Sequence, residues 1–521
     1  MKGTSDLYDL IHSLSMSEKR YISLSIMHQG DDKVYLTLFK AIAKQKEFDE
    51  EALREELKGE DFVDRLHKVK YVLYNFILKK LSGYYWSRSP DTYLNELFIE
   101  TDILFKKNLV EHAKKRMAKL KELAEANDEY ELLLQCYSWE RRFSINSSYK
   151  LRSMKERDHL LAKELALVKN IEFLSRYYAL SDKMYIYIKG KGDVRTKSDE
   201  VELKKFMNDP LLKNEPPGLP YPAKLIFHFI HMQGYYYLGN FKGALEHAEK
   251  YLALLKPKIS QNEAILKRYV NGLNNKALLQ VNFKDYDGAF LTLDKMQDAL
   301  YSDVGKKHLS EEVLKSLQAN IYELKAELYV GSGQYKKGFE MIPVIENFMA
   351  AYNGKLEPEY VLIFNYLMGY LNFIFGDYKK AIHYLNRILN YTKKDLILRE
   401  DVYCYAKIMY LIAHYEAGTE GLPDYLIKST YRFLSQLQRL YKIESAILTF
   451  IRNKLLKSYN PKHLTKSLEE LKENIIEISK DPHERRILDY FDFISWLESK
   501  ISRRPFLEVM SESHSKNKQP L

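Results

Sequence analysis

Four short stretches hold residues whose types and spacing could do chemistry. In "LIFHFIHMQG", His228 and His231 are three residues apart and would share one helix face, offering two imidazoles to a metal. No acid or cysteine lies within a turn of them, and one helix supplies too few ligands for a closed site, so the expected role is packing. "GSGQYKKG" at 331–338 is similar to a phosphate-cradling glycine loop, but Lys336 stands where G-x-G-x-x-G needs its third glycine. "KGKGD" at 189–193 could gather phosphate through backbone N–H groups, although a solvated Gly/Lys linker needs no ligand. His483 and Glu484 in "DPHERR" could form an acid/base pair, yet acids there also suit the positive end of a starting helix. G-x-x-x-x-G-K-[ST], H-E-x-x-H, G-x-S-x-G and C-x-x-C are all absent from the sequence. The expectation is a non-enzymatic protein with no metal and no cofactor.

The elements that would position such residues are helices. Of 521 residues, 46% are hydrophobic and 29% charged, with only 14 Pro and 21 Gly, the composition of an ordered, helix-rich chain. Its 42 Tyr suit half-buried helix surfaces, because the ring packs while the hydroxyl stays wet. Cys136 and Cys404 stand alone, which supports neither a disulfide framework nor a thiolate zinc cluster and favours a reducing cytoplasm. Asp6 and Asp9 interrupt the place where an export signal needs its apolar run. "YVLIFNYLMGYLNFIFG" at 360–376 carries no charge over 17 residues, but Asn365, Asn372 and the flanking acids point to a buried helix rather than a membrane span.

The chain divides by composition. Residues 1–90 form an N-terminal helical module: Ser15 and Glu18 fit a capping box, acids open a helix at 49, and Pro90 closes the segment. Residues 91–222 hold degenerate helical hairpins, with "FKKNLVEHA" at 105–113 as a worn elbow, and end in "NEPPGLPYP". Residues 223–415 carry repeats, 416–510 further helices, and 511–521 reads as a disordered tail.

One phrase recurs in 223–415. Gly239 and Phe241 precede Ala244; Lys284 and Tyr286 precede Ala289; Gly333 and Tyr335 precede Gly338; Gly376 and Tyr378 precede Ala381. The aromatic stands three residues before the small residue each time, and the small residues are spaced 45, 49 and 43 apart. A left-handed residue ends one helix, the aromatic packs over the turn, and a small residue lets the next helix lie close. This resembles the tetratricopeptide repeat, W-x2-L-G-x2-Y followed by A-x3-F, in a degenerate, long-helix form: no repeat begins with Trp, and the period exceeds 34. The resemblance implies an all-α superhelix of stacked antiparallel hairpins, a TPR-like solenoid.

The resemblance also implies where a partner sits, since inward positions of the first helices line a groove. Those positions are Gln233, Tyr236 and Tyr237; Asn271, Asn274, Asn275 and Asn282; Asn320, Glu323 and Glu327; and Tyr366 and Tyr370. The four asparagines share one face of a helix, where Asn has no propensity reason to accumulate. The expected function is a cytoplasmic, bacterial scaffold or adaptor that binds a protein or peptide. The alternative is a regulator whose N-terminal module contacts nucleic acid. Against it, residues 1–90 hold 15 Lys/Arg and 14 Asp/Glu, although the chain as a whole carries +10.

Overall fold

The computed structural model describes residues 5–27, 32–85, 90–146, 154–191, 194–352, 356–390, 399–418, 424–436, 440–455 and 461–517. Among them every regular element is helical and none is a strand. The chain forms two compact units, Met1–Val168 and Lys169–Leu521, so the division coincides with neither expected boundary, 90 or 222. The break in composition at 214–222 lies inside the second unit, where Asp209 and Pro220 flank a short helix and the start of the next.

The first unit opens with α1 (Asp6–Ser13), α2 (Met16–Met27), α3 (Asp32–Lys44), α4 (Glu50–Glu56) and α5 (Leu66–Tyr85). Leu7, Ile11, Ile22, Leu38, Ile42, Leu53, Leu66, Leu73 and Ile77 make one buried core between them. The capping box at the start of α2 is formed: the Ser15 N–H donates to Glu18 Oε2 at 2.7 Å and the Glu18 N–H to Ser15 Oγ at 3.3 Å. α6 (Pro90–Lys106), α7 (Val110–Ala126) and α8 (Tyr130–Asn146) follow, around Phe98, Phe105, Trp139 and Phe143. The worn elbow at 105–113 is a genuine one, with Asn108 at φ 59° and Ala113 fully buried. α9 (Met154–Lys191) runs across the division.

The second unit continues with α10 (Lys197–Met207) and α11 (Pro210–Lys213), then the repeats. These are α12 (Tyr221–Tyr237) with α13 (Phe241–Leu255), α14 (Glu263–Asn282) with α15 (Tyr286–Tyr301), α17 (Glu311–Gly331) with α18 (Tyr335–Tyr352), and α19 (Pro358–Ile374) with α20 (Tyr378–Leu389). An inserted helix, α16 (Asp303–His308), accounts for the longest spacing. A fifth pair, α21 (Glu400–Glu416) and α22 (Asp424–Gln436), follows.

Each of the four elbows is the same device. The residue ending the first helix is left-handed, φ 74° at Gly239, 60° at Lys284, 75° at Gly333 and 78° at Gly376. The next N–H reaches five residues back, as Asn240 to the Tyr235 carbonyl and Asp377 to the Asn372 carbonyl, closing the last turn. In three elbows that polar residue also caps the second helix: Asn240, Asp285 and Asp377 accept from the N–H groups of Gly243, Gly288 and Lys380. Ala244, Ala289 and Ala381 are fully buried, and a Cβ on Gly338 would stand 3.1 Å from Leu371 Cδ2.

The uncharged stretch at 360–376 is core: every residue from Leu362 to Ile374 is buried within α19. No helix among the described residues is long and apolar enough to cross a membrane. The unit ends with α23 (Lys442–Phe450), α24 (Pro461–Ile478), α25 (Pro482–Arg485), α26 (Phe493–Ser502) and α27 (Phe506–Asn517). Residues 511–517, expected to be tail, are helical because Phe506, Val509 and Met510 anchor α27 and one face of it meets the third elbow. Residues 518–521 lie outside the described set.

Candidate functional site

The first helices of the second to fifth pairs form a continuous layer in which α14 packs on α17, α17 on α19 and α19 on α21. A ladder of polar side chains crosses this layer. Asn320 Nδ2 donates to Asn271 Oδ1 at 3.2 Å, and the Tyr360 hydroxyl donates to Asn320 Oδ1 at 2.7 Å with Ser316 Oγ 3.3 Å away. Three successive repeats are thus joined through side chains that all sit on one face. Asn271 was expected to meet a partner; it is already committed to Asn320.

Its neighbours are not committed. Gln233, Asn274 and Asn275 are half-buried, and their side chains make no hydrogen bond among the described residues. Each amide keeps two donors and an acceptor for solvent or a partner. Asn282 differs, since its amide donates to the Leu278 carbonyl of its own helix at 2.8 Å. Tyr236 and Tyr237 are packing residues: Tyr236 stacks edge-on with Tyr237 and against Phe241, and Tyr237 covers the cluster of Met184, Val194 and Leu203.

One turn further along α17, Glu323 and Glu327 project from the same helix and make no hydrogen bond or ion pair among the described residues. Burial pushes the Glu323 carboxyl up to about 8, with Glu327 adding to the effect and Arg399 opposing it. Burial likewise raises Glu327 to about 7 against the pull of Arg399. Arg399 is itself engaged, donating from Nε and Nη2 to the two oxygens of Asp401 at 3.1 Å each. Burial alone would raise Asp401, but the Arg399 charge and the hydrogen bonds outweigh it and hold the carboxyl below its usual range.

Tyr366 and Tyr370 are corrected outright. Both are buried, because the chain's own residues 490–492 lie on them. The Tyr366 hydroxyl donates to the Tyr490 carbonyl at 2.9 Å, and the Asp492 N–H donates to the Tyr370 hydroxyl at 3.4 Å. Phe491 fills a nest of Tyr370, Phe373, Phe493 and Phe506, and the Tyr490 hydroxyl donates to Asp401 Oδ2 at 2.8 Å. The positions expected to line a groove on the fourth repeat are therefore covered by the chain itself.

The other candidates resolve as structure. His228 and His231 are buried against the half-buried His247: His228 Nδ1 is 3.1 Å from His247 Nδ1, and the rings of His231 and His247 stack at 4.6 Å. The other nitrogen of His228 faces Glu215, and His231 contacts the Phe227 and Leu212 carbonyls, so the imidazoles do not converge on a point. "GSGQYKKG" is the third elbow, Gly331 closing α17 and Tyr335 opening α18. In "KGKGD", residues 192 and 193 lie outside the described residues. His483 and Glu484 diverge, the first toward Glu200 and the second accepting from the Lys442 N–H at 3.0 Å.

Sequence reasoning passed over Tyr360, Arg399, Asp401 and Tyr490, and also a buried ion pair, Arg195 with Glu444. Only Arg399 and Asp401 had a signal, opposite charges two residues apart; the rest are joined across 40 residues or more. Comparison of the chain with protein-family models and with curated proteins gives no match.

Proposed function

We propose that this chain is a non-enzymatic scaffold that binds a protein or an extended peptide on the inner face of α12, α14 and α17. The tetratricopeptide-like elbows support a binding scaffold, because they hold long helices in register and leave one face of each first helix for other use. The observation that carries the reading is the pair Asn274 and Asn275. Both amides are half-buried without an intramolecular hydrogen bond, on the face where Asn271 already bridges to the next repeat. A peptide backbone offers the alternating donors and acceptors that such amides satisfy, and partly buried polar groups left unpaired are costly.

Cross-linking mass spectrometry on cells expressing the full chain tests this, with Asn274→Ala/Asn275→Ala alongside the native protein. Loss of cross-linked partners at unchanged helicity supports the assignment. Partners that cross-link only to the second-helix faces, or that survive the double substitution, refute it. Asn271→Ala is a poor probe, since it also breaks the bond to Asn320.

A further inference from the structure

Arg195 sits between α9 and α10, in a stretch whose composition reads as linker, yet it is only 5% exposed. Its Nη1 donates to the Tyr405 hydroxyl at 2.9 Å, its Nη2 to Glu444 Oε1 at 3.2 Å, and its guanidinium lies 3.9 Å over the Tyr441 ring. Nearby, the His483 ring approaches the Val194 carbonyl and Glu200, each at 3.4 Å. All five contacts tie residues 194–200, at the head of the second unit, to residues 405–483 near its end. The same segment is also held to α9, by Val194 and Leu203 in a cluster with Met184 and by the Tyr187 hydroxyl, which donates to the Asp199 carbonyl at 2.9 Å.

The central pair is poorly satisfied for its depth. Glu444 is 1% exposed, and a guanidinium facing a carboxylate can make two parallel hydrogen bonds. Between Arg195 and Glu444 there is one, and among the described residues Arg195 Nε has no acceptor and Glu444 Oε2 no donor. A buried ion pair that leaves polar atoms unmatched carries a desolvation cost on both charges, and separation rehydrates both. Packing would be better served by apolar side chains of similar volume.

The pair also connects to the inner face. The Tyr405 hydroxyl accepts from Arg195, and its ring packs at a tilt on Tyr490 with centroids 4.0 Å apart; the Tyr490 hydroxyl donates to Asp401, which Arg399 grips from the α21 end. We propose that residues 194–200 are a releasable strap, fastened by Arg195 to Glu444 and Tyr405, whose release loosens the Tyr490–Asp401 cluster covering the fourth repeat. The strap is a conformational device beyond the binding role proposed above, and its opening is measurable without any partner.

Hydrogen exchange by mass spectrometry on the full chain tests it. In Glu444→Ala, amides of 194–200, 441–450 and 489–493 should exchange at least tenfold faster, with α14 and α17 unchanged. In Arg195→Met/Glu444→Leu, the same amides should exchange more slowly than in the native protein, because an apolar pair has no charge to rehydrate. Acceleration spread evenly over the second unit in Glu444→Ala would make the pair an ordinary core element and overturn the strap. So would an unchanged exchange pattern, or a double variant as fast as Glu444→Ala.

Discussion

Glu323 and Glu327 give the inner face a stability signature that can be worked out in advance. Their folded-state carboxyls are raised from 4.5 to about 8 and about 7 by burial, with Glu327, Glu359 and Asp401 adding negative charge around Glu323 and Arg399 opposing. Below the ordinary carboxylate value both folded and unfolded states are protonated, and nothing is lost. As pH rises from about 4.5 toward 8, the unfolded chain releases these protons first, so the folded state binds more of them and stability falls. Each pH unit between the two values is worth about 1.4 kcal/mol, so a fully dry carboxyl would lose about 4 to 5 kcal/mol. Both side chains are partly exposed, and water screening with sharing of charge within the pair reduces the combined loss to roughly 2 kcal/mol. Glu323→Gln/Glu327→Gln removes it. Urea unfolding of native and double-substituted protein at pH 5, 6, 7 and 8 should show the variant gaining roughly 2 kcal/mol over the native chain across that range. Titrations elsewhere cancel in the difference. Parallel stability curves would refute the reasoning, and so would a variant that loses ground with rising pH.

Two further predictions test packing. Gly333→Ala carries both a left-handed backbone, φ 75°, and a Cβ only 2.5 Å from His514 Cδ2, whereas Gly376→Ala carries a φ of 78° with open space around it. The first should therefore destabilise more than the second, whose cost is about 1 to 2 kcal/mol, and the excess should shrink in a His514→Ala background, as read by urea midpoints. The histidine cluster makes the opposite pH prediction. Burial lowers His228 to about 4 and His247 to about 3, with neighbouring charges adjusting both, so the native chain should lose stability as pH falls from 6.5 toward those values. His228→Gln should flatten that acid limb in pH-dependent melting, and an unchanged limb would remove His228 from the account.

The elbows were readable residue by residue because their causes are local. A left-handed residue, a cap, an aromatic and a small residue act within one turn of each other, so Gly239, Asn240, Phe241 and Ala244 can be recognised without knowing what lies across the fold. The proposed groove rests on inward position alone. Asn274 and Asn275 remain open there, but nothing near Tyr366 or Tyr370 in the chain announces that residues 490–492 will cover them. The sequence also misdescribed residues 511–517, reading as tail what is helix.

What the amino-acid sequence determined by itself is the helical class, the hairpin repeat and the elbow chemistry, because periodicity, capping and turn conformation depend on residues a few positions apart. The tertiary structure alone decided which polar groups stay free, which are paired across the layer, and where Arg195 is buried. Those outcomes depend on desolvation, and desolvation is set by whatever chain arrives from far away to exclude water: Tyr490 over Tyr366, Glu444 against Arg195, and Asn320 onto Asn271.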